Sequence, residues 1–187
     1  FYDLRNLADT YESMLILDEV QTGVGLTGKM WAYEHFGIVP DMMCFGKKTQ
    51  VCGFCSTQRI DEVGHNVFNT SSRINSTWGG NIVDMVRFRY IADAIRDENL
   101  VDNSRDVGAH LLSNLTKIKQ LQGVRGRGLM IAFDLESPKQ RDDVVSKLQD
   151  RMLVLKCGLK SIRLRPSLTF TKEDADLASS YIEDSVK

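Results

Sequence analysis

Short apolar runs alternate with amphipathic stretches along the first half of the chain. Residues 14–17 form a continuous apolar run that ends in Asp18 and Glu19, and its length and lack of alternation are typical of a buried parallel strand. Two further strands are predicted at residues 42–45 and 51–56. Helices are predicted where apolar residues recur at helical spacing: over residues 2–12, over residues 31–36 and from Asn81 onwards. Strand, helix and strand joined by short loops indicate an α/β fold.

The second half of the chain predicts a smaller α+β arrangement. Strands and helices are predicted by apolar periodicity, the strands at residues 130–135, 153–155 and 161–164 and the helices at residues 104–120, 139–151 and 172–186. The change of pattern places a domain boundary near residues 97–104. We therefore expect one domain over residues 1–100 and a second over residues 101–187.

Charge and hydropathy argue against several classes of function. The 187 residues carry 24 Lys and Arg against 25 Asp and Glu, for a net charge of −1, whereas nucleic-acid binders usually carry a basic surplus. No apolar run approaches the roughly 18 residues of a membrane span, and no basic and apolar leader opens the sequence. We therefore expect a cytoplasmic protein without nucleic-acid or membrane partners. The chain starts at Phe1 inside an amphipathic pattern, which predicts a piece of a longer protein.

The four cysteines do not predict a metal or redox site. Cys52 and Cys55 form a CxxC pattern, but a zinc site needs a second ligand pair, which Cys44 and Cys157 do not provide. A thioredoxin-like motif opens a helix, whereas the residues after Cys55 predict strand or turn. The three histidines are scattered without ligand spacing. We interpret the cysteines as small buried residues of a protein from a reducing compartment.

The glycine-rich stretch Gly23–Lys29 resembles two nucleotide-binding motifs. Its three glycines match GxGxxG after a strand, but the nearest acidic candidate, Asp41, stands before the next strand and not after it. The same stretch matches GxxxxGK, but Met30 follows it where a P-loop needs a hydroxyl for Mg²⁺. A P-loop or dinucleotide-binding domain is therefore kept as an alternative.

A carboxylate and an amine are predicted to share one edge of the sheet. Asp18 ends one short strand, and Lys47 follows the next after about one strand–helix–strand crossover. In a right-handed parallel unit both strands end at the same edge, where ligands bind in α/β folds. Pyridoxal phosphate needs such a pair, since it forms a Schiff base with a lysine and its ring nitrogen needs an acidic partner. Taken alone, the pair is better interpreted as a strand-end cap and a solvated surface charge.

Longer stretches favour the pyridoxal-phosphate interpretation. Residues 15–23 (LILDEVQTG) and 41–47 (DMMCFGK) resemble, at matching spacing, the signature of class III pyridoxal-phosphate-dependent aminotransferases. Residues 45–53, 72–81 and 125–130 look like those of L-lysine 6-aminotransferases. The related 4-aminobutyrate aminotransferases share the Arg-Gly-Arg-Gly pattern but resemble the stretch before residue 81 less closely.

This resemblance implies a fold and a place within it. It runs along the whole chain and corresponds to the C-terminal half of a fold type I pyridoxal-phosphate-dependent transferase. Residues 1–100 are then expected to be the C-terminal part of the large domain, with its mixed sheet and the interdomain helix, and residues 101–187 the small α+β domain. The isolated piece is expected to lack transaminase activity, because the rest of the family's site precedes the residue that aligns with Phe1.

The resemblance assigns cofactor-binding roles to four residues. Lys47, rather than its neighbour Lys48, is the Schiff-base lysine and proton shuttle, and Asp18 binds the pyridine nitrogen. Gln21 approaches the ring hydroxyl. Thr77 binds the cofactor phosphate of the partner subunit, which implies a homodimer, and a hydroxyl near a helix start suits that role.

The resemblance also implies the substrates. Arg165 is expected to clamp the carboxylate of glutamate or 2-oxoglutarate, since a planar guanidinium suits bidentate pairing, and strand alternation places it on the same face as Arg163. Asn75 beside the phosphate loop is assigned to substrate binding. The expected reaction transfers the terminal amine of L-lysine to 2-oxoglutarate, and no metal is expected to take part. The alternative donors are 4-aminobutyrate and ornithine.

Overall fold

The computed structural model describes residues 1–74 and 79–187. Its α-helices are α1 (Tyr2–Thr10), α2 (Ile82–Asp97), α3 (Leu100–Thr116), α4 (Pro138–Leu148) and α5 (Lys172–Ser185). Its strands are β1 (Ile16–Asp18), β2 (Met42–Phe45), β3 (Gly53–Ser56), β4 (Gln122–Arg127), β5 (Met130–Asp134), β6 (Leu155–Cys157) and β7 (Ser161–Leu164). Short 3₁₀ turns cover Ala32–Phe36, Lys47–Thr49 and Gln58–Glu62.

The chain divides into two compact units. The first unit comprises Phe1–Val24 and Met30–Asp97, and the second comprises Gly25–Lys29 and Glu98–Lys187. In the first unit the sheet order is β1-β2-β3. The strands β1 and β2 are parallel, with Asp18 opposite Cys44, and β3 runs antiparallel to β2. The parallel pair expected from the sequence is therefore confirmed, but β1 is not buried as predicted, since Ile16 and Asp18 are exposed.

The second unit has a four-stranded antiparallel sheet with a continuous apolar core. Its strand order is β4-β5-β7-β6, and α3 packs against both α5 and the sheet. Alternation along β5 and β7 directs one face into the core, where Phe133 and Ile162 are fully buried. Helices α4 and α5 are both capped at their N-termini. The Ser137 hydroxyl accepts from the Gln140 amide at the start of α4, and Thr171 forms a capping box with Asp174 at the start of α5.

Residues 25–29 of the glycine-rich stretch serve packing within the second unit. The Leu26 carbonyl accepts hydrogen bonds from the Leu129 amide (2.9 Å) and the buried Ser104 hydroxyl (2.8 Å). Gly28 has a φ of +83°, and a Cβ there would lie 2.9 Å from Arg105 Cβ. These glycines therefore bring two backbones together. The chain that follows forms the short 3₁₀ turn Ala32–Phe36, whereas a P-loop opens a helix.

Several predictions at the level of single elements were wrong. Strand β4 was missed, since its two glycines and two arginines give no apolar alternation and only pairing with β5 defines it. The helix predicted at residues 104–120 is α3, which begins at Leu100 after the left-handed Asn99 (φ +53°). Strand β6 lies two residues beyond the predicted 153–155.

The interpretation of the cysteines as buried residues was also wrong. Cys52 and Cys55 are exposed, while Cys44 and Cys157 are half-buried, and none is in a disulfide. Cys55 lies on β3, an edge strand of the first sheet, which pairs only with β2 in the described part of the chain. Among the described residues, no helix has both the length and the apolar character needed to cross a membrane.

Candidate active site

The candidate site lies where β1 and β2 of the first unit end. Asp18 is the last residue of β1, and Lys47 opens the turn that follows β2. The parallel register continues past β1, because the Glu19 amide donates to the Cys44 carbonyl (2.9 Å). Both functional residues predicted from the strand ends therefore emerge at one sheet edge, as expected for a parallel pair.

The two adjacent lysines contact different atoms of Gln21. Lys47 Nζ donates to the side-chain carbonyl of Gln21 (Oε1) at 2.6 Å, whereas Lys48 Nζ donates to the backbone carbonyl of the same residue at 2.9 Å. The structure thus brings Lys47 and Gln21 together, as the sequence-based assignment requires.

Gln21 has an unsatisfied donor at this edge. Its side-chain nitrogen Nε2 is buried and has no hydrogen-bond partner among the described residues. A buried polar atom without a partner is destabilising, and native proteins rarely leave one unsatisfied. The amide therefore faces a position suited to an acceptor oxygen.

Asp18 presents a carboxylate beside the same strand ends. Its Oδ1 accepts from the Val20 amide at 2.9 Å, which orients the side chain through a local turn. Its Oδ2 has no hydrogen-bond partner within the described residues 1–74 and 79–187 and can accept from a protonated ring nitrogen. The side chain is exposed in this chain.

A buried glutamate next to Asp18 supports the segment that follows β1. Glu19 is only 4% exposed. Its Oε1 accepts from the Tyr33 amide at 2.8 Å, and its Oε2 accepts from the Thr22 hydroxyl. No role was predicted for this residue. The sequence signal that could have found it is a second acid directly after a continuous apolar run, where a buried acid needs backbone or hydroxyl donors.

Asp41 ties the start of the parallel pair together. It is 5% exposed, and its Oδ2 accepts from the Leu15 amide (2.7 Å) and from Arg5 (2.9 Å). Arg59 reaches both carboxylate oxygens at 3.3 Å. Burial opposes ionisation of Asp41, but the Leu15 amide and the two guanidinium groups outweigh it and hold its pKa below the usual range. Asp41 is thus a structural carboxylate, which sequence reasoning used only as part of a motif.

The predicted phosphate and substrate residues Thr77 and Asn75 lie outside the described residues. The helix that follows them, α2, begins at Ile82. The Asn81 side-chain carbonyl accepts from the Val83 amide at 2.9 Å, which satisfies one of the free amides of the first turn.

Arg165 of the second unit follows β7 rather than lying on it. The strand ends at Leu164, and Pro166 lacks the amide needed to continue the ladder. Arg165 is exposed and lines a pocket of about 170 Å³ whose other walls include Met152 and Phe170. Its neighbour Arg163 has a buried Nε without a partner in the described part of the chain. A cationic rim on an apolar pocket suits a carboxylate carried on a hydrocarbon chain.

Comparisons with known proteins identify the family. The family model "Aminotransferase class-III" matches residues 1–186. The chain is 42% identical to the L-lysine-epsilon aminotransferase of Mycobacterium tuberculosis over 192 residues, which cover 100% of the chain and 43% of that relative. It is 39% identical to the 4-aminobutyrate aminotransferase of Kluyveromyces lactis, over 98% of the chain and 40% of that relative.

A solved structure shows the same fold. The structure titled "Lysine aminotransferase from M. tuberculosis in the internal aldimine form" matches with a TM-score of 0.95 at 42% identity, over 100% of this chain and 44% of that chain. The chain therefore belongs to the class III aminotransferase family, and the expected fold class is confirmed. It spans less than half the length of the curated relatives that it matches.

Proposed function

We propose that the protein is an L-lysine 6-aminotransferase that uses pyridoxal 5′-phosphate. It would transfer the terminal amine of L-lysine to 2-oxoglutarate and so form glutamate and 2-aminoadipate 6-semialdehyde. The observation that carries the proposal is the contact between the Lys47 amine and Gln21 (2.6 Å) at the shared strand edge, in a chain that is 42% identical to an L-lysine-epsilon aminotransferase.

The residues at the strand edge fit the cofactor. Lys47 supplies a primary amine, Asp18 a carboxylate oxygen without a partner among the described residues, and Gln21 a buried donor that lacks an acceptor. These three groups match an aldehyde, a pyridine nitrogen and a ring hydroxyl in kind. Thr77 stays a prediction for the phosphate of the partner subunit.

Each of these residues has a defined task in the proposed reaction. The cofactor, when bound, supplies an electron sink that stabilises negative charge next to the reacting amine. Lys47 would take up and return, through Nζ, the proton of the carbon that bears the substrate amine. The side-chain carbonyl of Gln21 orients the Lys47 amine. The Asp18 carboxylate would bind the ring nitrogen of the cofactor.

Substrate recognition is assigned to the second unit and to a partner. Arg165 is proposed to bind the carboxylate of 2-oxoglutarate or glutamate in bidentate geometry, at the rim of its pocket. Asn75 is proposed to support the substrate beside Thr77. Because Thr77 would serve the partner's cofactor, the active form is proposed to be a homodimer, located in the cytoplasm.

A second candidate donor is 4-aminobutyrate or ornithine. The 39% identity to the 4-aminobutyrate aminotransferase of Kluyveromyces lactis favours the first, and the TM-score of 0.86 to an ornithine aminotransferase from Plasmodium yoelii favours the second. All three donors carry a terminal amine, so the residues around Lys47 do not indicate which donor the protein uses.

Borohydride trapping and a donor screen test the proposal. Incubation with pyridoxal 5′-phosphate should give a visible absorbance that borohydride bleaches, with the adduct on Lys47 by peptide mass spectrometry. Lys47→Ala should lose the adduct, while Lys48→Ala should keep it. In the full-length protein, glutamate formation from 2-oxoglutarate should be fastest with L-lysine among the three donors. An adduct absent from Lys47 would refute the cofactor assignment, and faster turnover of 4-aminobutyrate or ornithine would refute the donor.

A further inference from the structure

The turn that carries Lys47 has an unusual backbone. Lys47 has a φ of +55° and Gln50 a φ of +61°. Neither residue is glycine, and side chains such as these rarely adopt left-handed conformations. Strain of this kind persists only where surrounding contacts hold it, and it is concentrated at functional sites.

The Gln50 residue holds this turn through the Lys47 carbonyl. That carbonyl accepts from the Gln50 backbone amide at 3.0 Å and from the Gln50 side-chain nitrogen at 3.2 Å. The preceding residue, Gly46, is buried, and a Cβ there would lie 3.0 Å from Cys52 Sγ. Cys52 therefore leaves little room for a side chain at the position before Lys47.

Arg87 of α2 fixes the other end of the Gln50 side chain. Its Nη1 donates to Gln50 Oε1 at 3.1 Å and to Asp84 Oδ1 at 3.2 Å. Asp84 lies one turn earlier on the same helix, so the guanidinium is oriented from its own helix. Arg87 thus connects α2 to the turn after β2.

The glutamine amide makes both contacts because it carries a donor and an acceptor. Gln50 donates through Nε2 to a carbonyl and accepts through Oε1 from a guanidinium, whereas a carboxylate has no donor and an ammonium no acceptor. Nothing in the sequence points to this pair, because Gln50 lies in a polar stretch and Arg87 is one of several arginines of α2.

We propose that Gln50 and Arg87 are positioning residues for Lys47. The chain from Arg87 through Gln50 to the Lys47 carbonyl keeps the left-handed backbone that directs Nζ onto Gln21 (2.6 Å). This proposal rests on the proposed function, since it concerns how fast and how selectively Lys47 meets the cofactor. Neither residue touches the reacting atoms itself.

Four variants separate the side-chain contacts from the backbone preference. Gln50→Glu keeps the acceptor for Arg87 and loses the donor to Lys47. Gln50→Gly suits the positive φ but loses both contacts. Arg87→Met removes the anchor on α2, and Arg87→Lys restores a cationic donor. Arg89→Met is the matched control, because Arg89 lies on the same helix with its side chain 84% exposed.

The readout is the ratio of Lys47 to Lys48 labelling by pyridoxal 5′-phosphate after borohydride trapping. Loss of one or two hydrogen bonds should lower this ratio about three- to tenfold in Gln50→Glu, Gln50→Gly and Arg87→Met. Arg87→Lys should recover most of it, and Arg89→Met should leave it unchanged. The melting temperature of each variant is recorded alongside, because a merely structural role would lower it without changing the ratio.

The possible outcomes separate the two proposals. If the unsubstituted protein does not select Lys47, both the proposed function and the positioning role are wrong. If it selects Lys47 and all Gln50 and Arg87 variants do so at the same ratio, the positioning role is wrong while the proposed function stands. If Gln50→Gly keeps the ratio and Gln50→Glu does not, the backbone conformation alone matters and the role of Arg87 is refuted.

Discussion

The two units of the chain use different interactions to define their structures. The second unit has a core that extends from α3 through the sheet to α4 and α5, with Phe133, Leu115 and Ile182 fully buried. The first unit leaves large apolar side chains of its helices exposed, including Ile82 (76%) and Tyr90 (71%) of α2. Within this chain, packing therefore defines the second unit more than the first.

Polar contacts contribute more to the structure of the first unit. Its buried polar side chains include Glu19, Asp41 and Thr49, all next to the ends or the start of β1 and β2. Buried polar groups must be satisfied, and a satisfied network specifies geometry more sharply than apolar contacts do. The comparison teaches that Lys47, the proposed Schiff-base lysine, is positioned by directional bonds, whereas the unit with Arg165 is held by a core.

The largest effect is expected from a cavity in the second unit. Phe133→Ala removes a fully buried ring and should lower the free energy of unfolding by about 3–5 kcal/mol. Phe68→Ala is the matched control in the first unit, where the ring is 59% exposed, and should cost much less. Urea denaturation measures both. Equal losses would contradict the contrast between the units.

A smaller loss is expected where two backbones of the second unit meet. A Cβ on Gly108 of α3 would collide with the Gly128 carbonyl. Backbone cannot move aside cheaply, so Gly108→Ala should destabilise the unit by about 2–3 kcal/mol. Ala109→Ser, at the neighbouring exposed position, should stay within about 0.5 kcal/mol. Hydrogen exchange of α3 amides distinguishes the two, and a neutral Gly108→Ala would show that this contact is looser than described.

The smallest effect is expected from the titration of Asp41 in the first unit. Its folded-state pKa lies below the unfolded value of about 3.9. The stabilisation by its ionised form is therefore complete above about pH 4 and is lost as the pH falls through the folded-state pKa. Asp41→Asn should cost about 1–2 kcal/mol at neutral pH and flatten this acid dependence.

Asp9→Asn is the control for that titration. Asp9 pairs with the same two arginines, Arg5 and Arg59, but its side chain is 55% exposed, so its loss should matter less. Hydrogen exchange of β1 and β2 amides between pH 2 and 6 measures the effect within the first unit. An unchanged acid dependence in Asp41→Asn would show that another group controls it.

Much of the fold was predictable where pattern and local chemistry agree. The continuous apolar run before Asp18 and the run at residues 42–45 predicted β1 and β2, and β7 occupies its predicted residues 161–164. Strand β4 was not predictable, because its residues become a strand only through pairing with β5. Period and propensity describe local preference, and pairing partners far along the chain can override them.

The residues of the candidate site likewise include some that the sequence indicated and some that it did not. Asp18 and Lys47 were proposed from their spacing and a motif, and Gln21 from the family resemblance, and the structure adds that Lys47 contacts Gln21. The roles of Glu19 and Asp41 in the turn could not, because a buried acid looks like any other acid until its donors are known.

The sequence by itself determined the family, the order of most elements and the edge at which the amine and the carboxylate emerge. It could do so because apolar period, strand ends and motif spacing are local properties. The tertiary structure alone decided that residues 25–29 of the glycine-rich stretch pack in the second unit and that Gln50 and Arg87 hold the Lys47 turn. Both depend on residues that are distant in sequence, so only the folded chain brings their donors and acceptors within hydrogen-bonding distance.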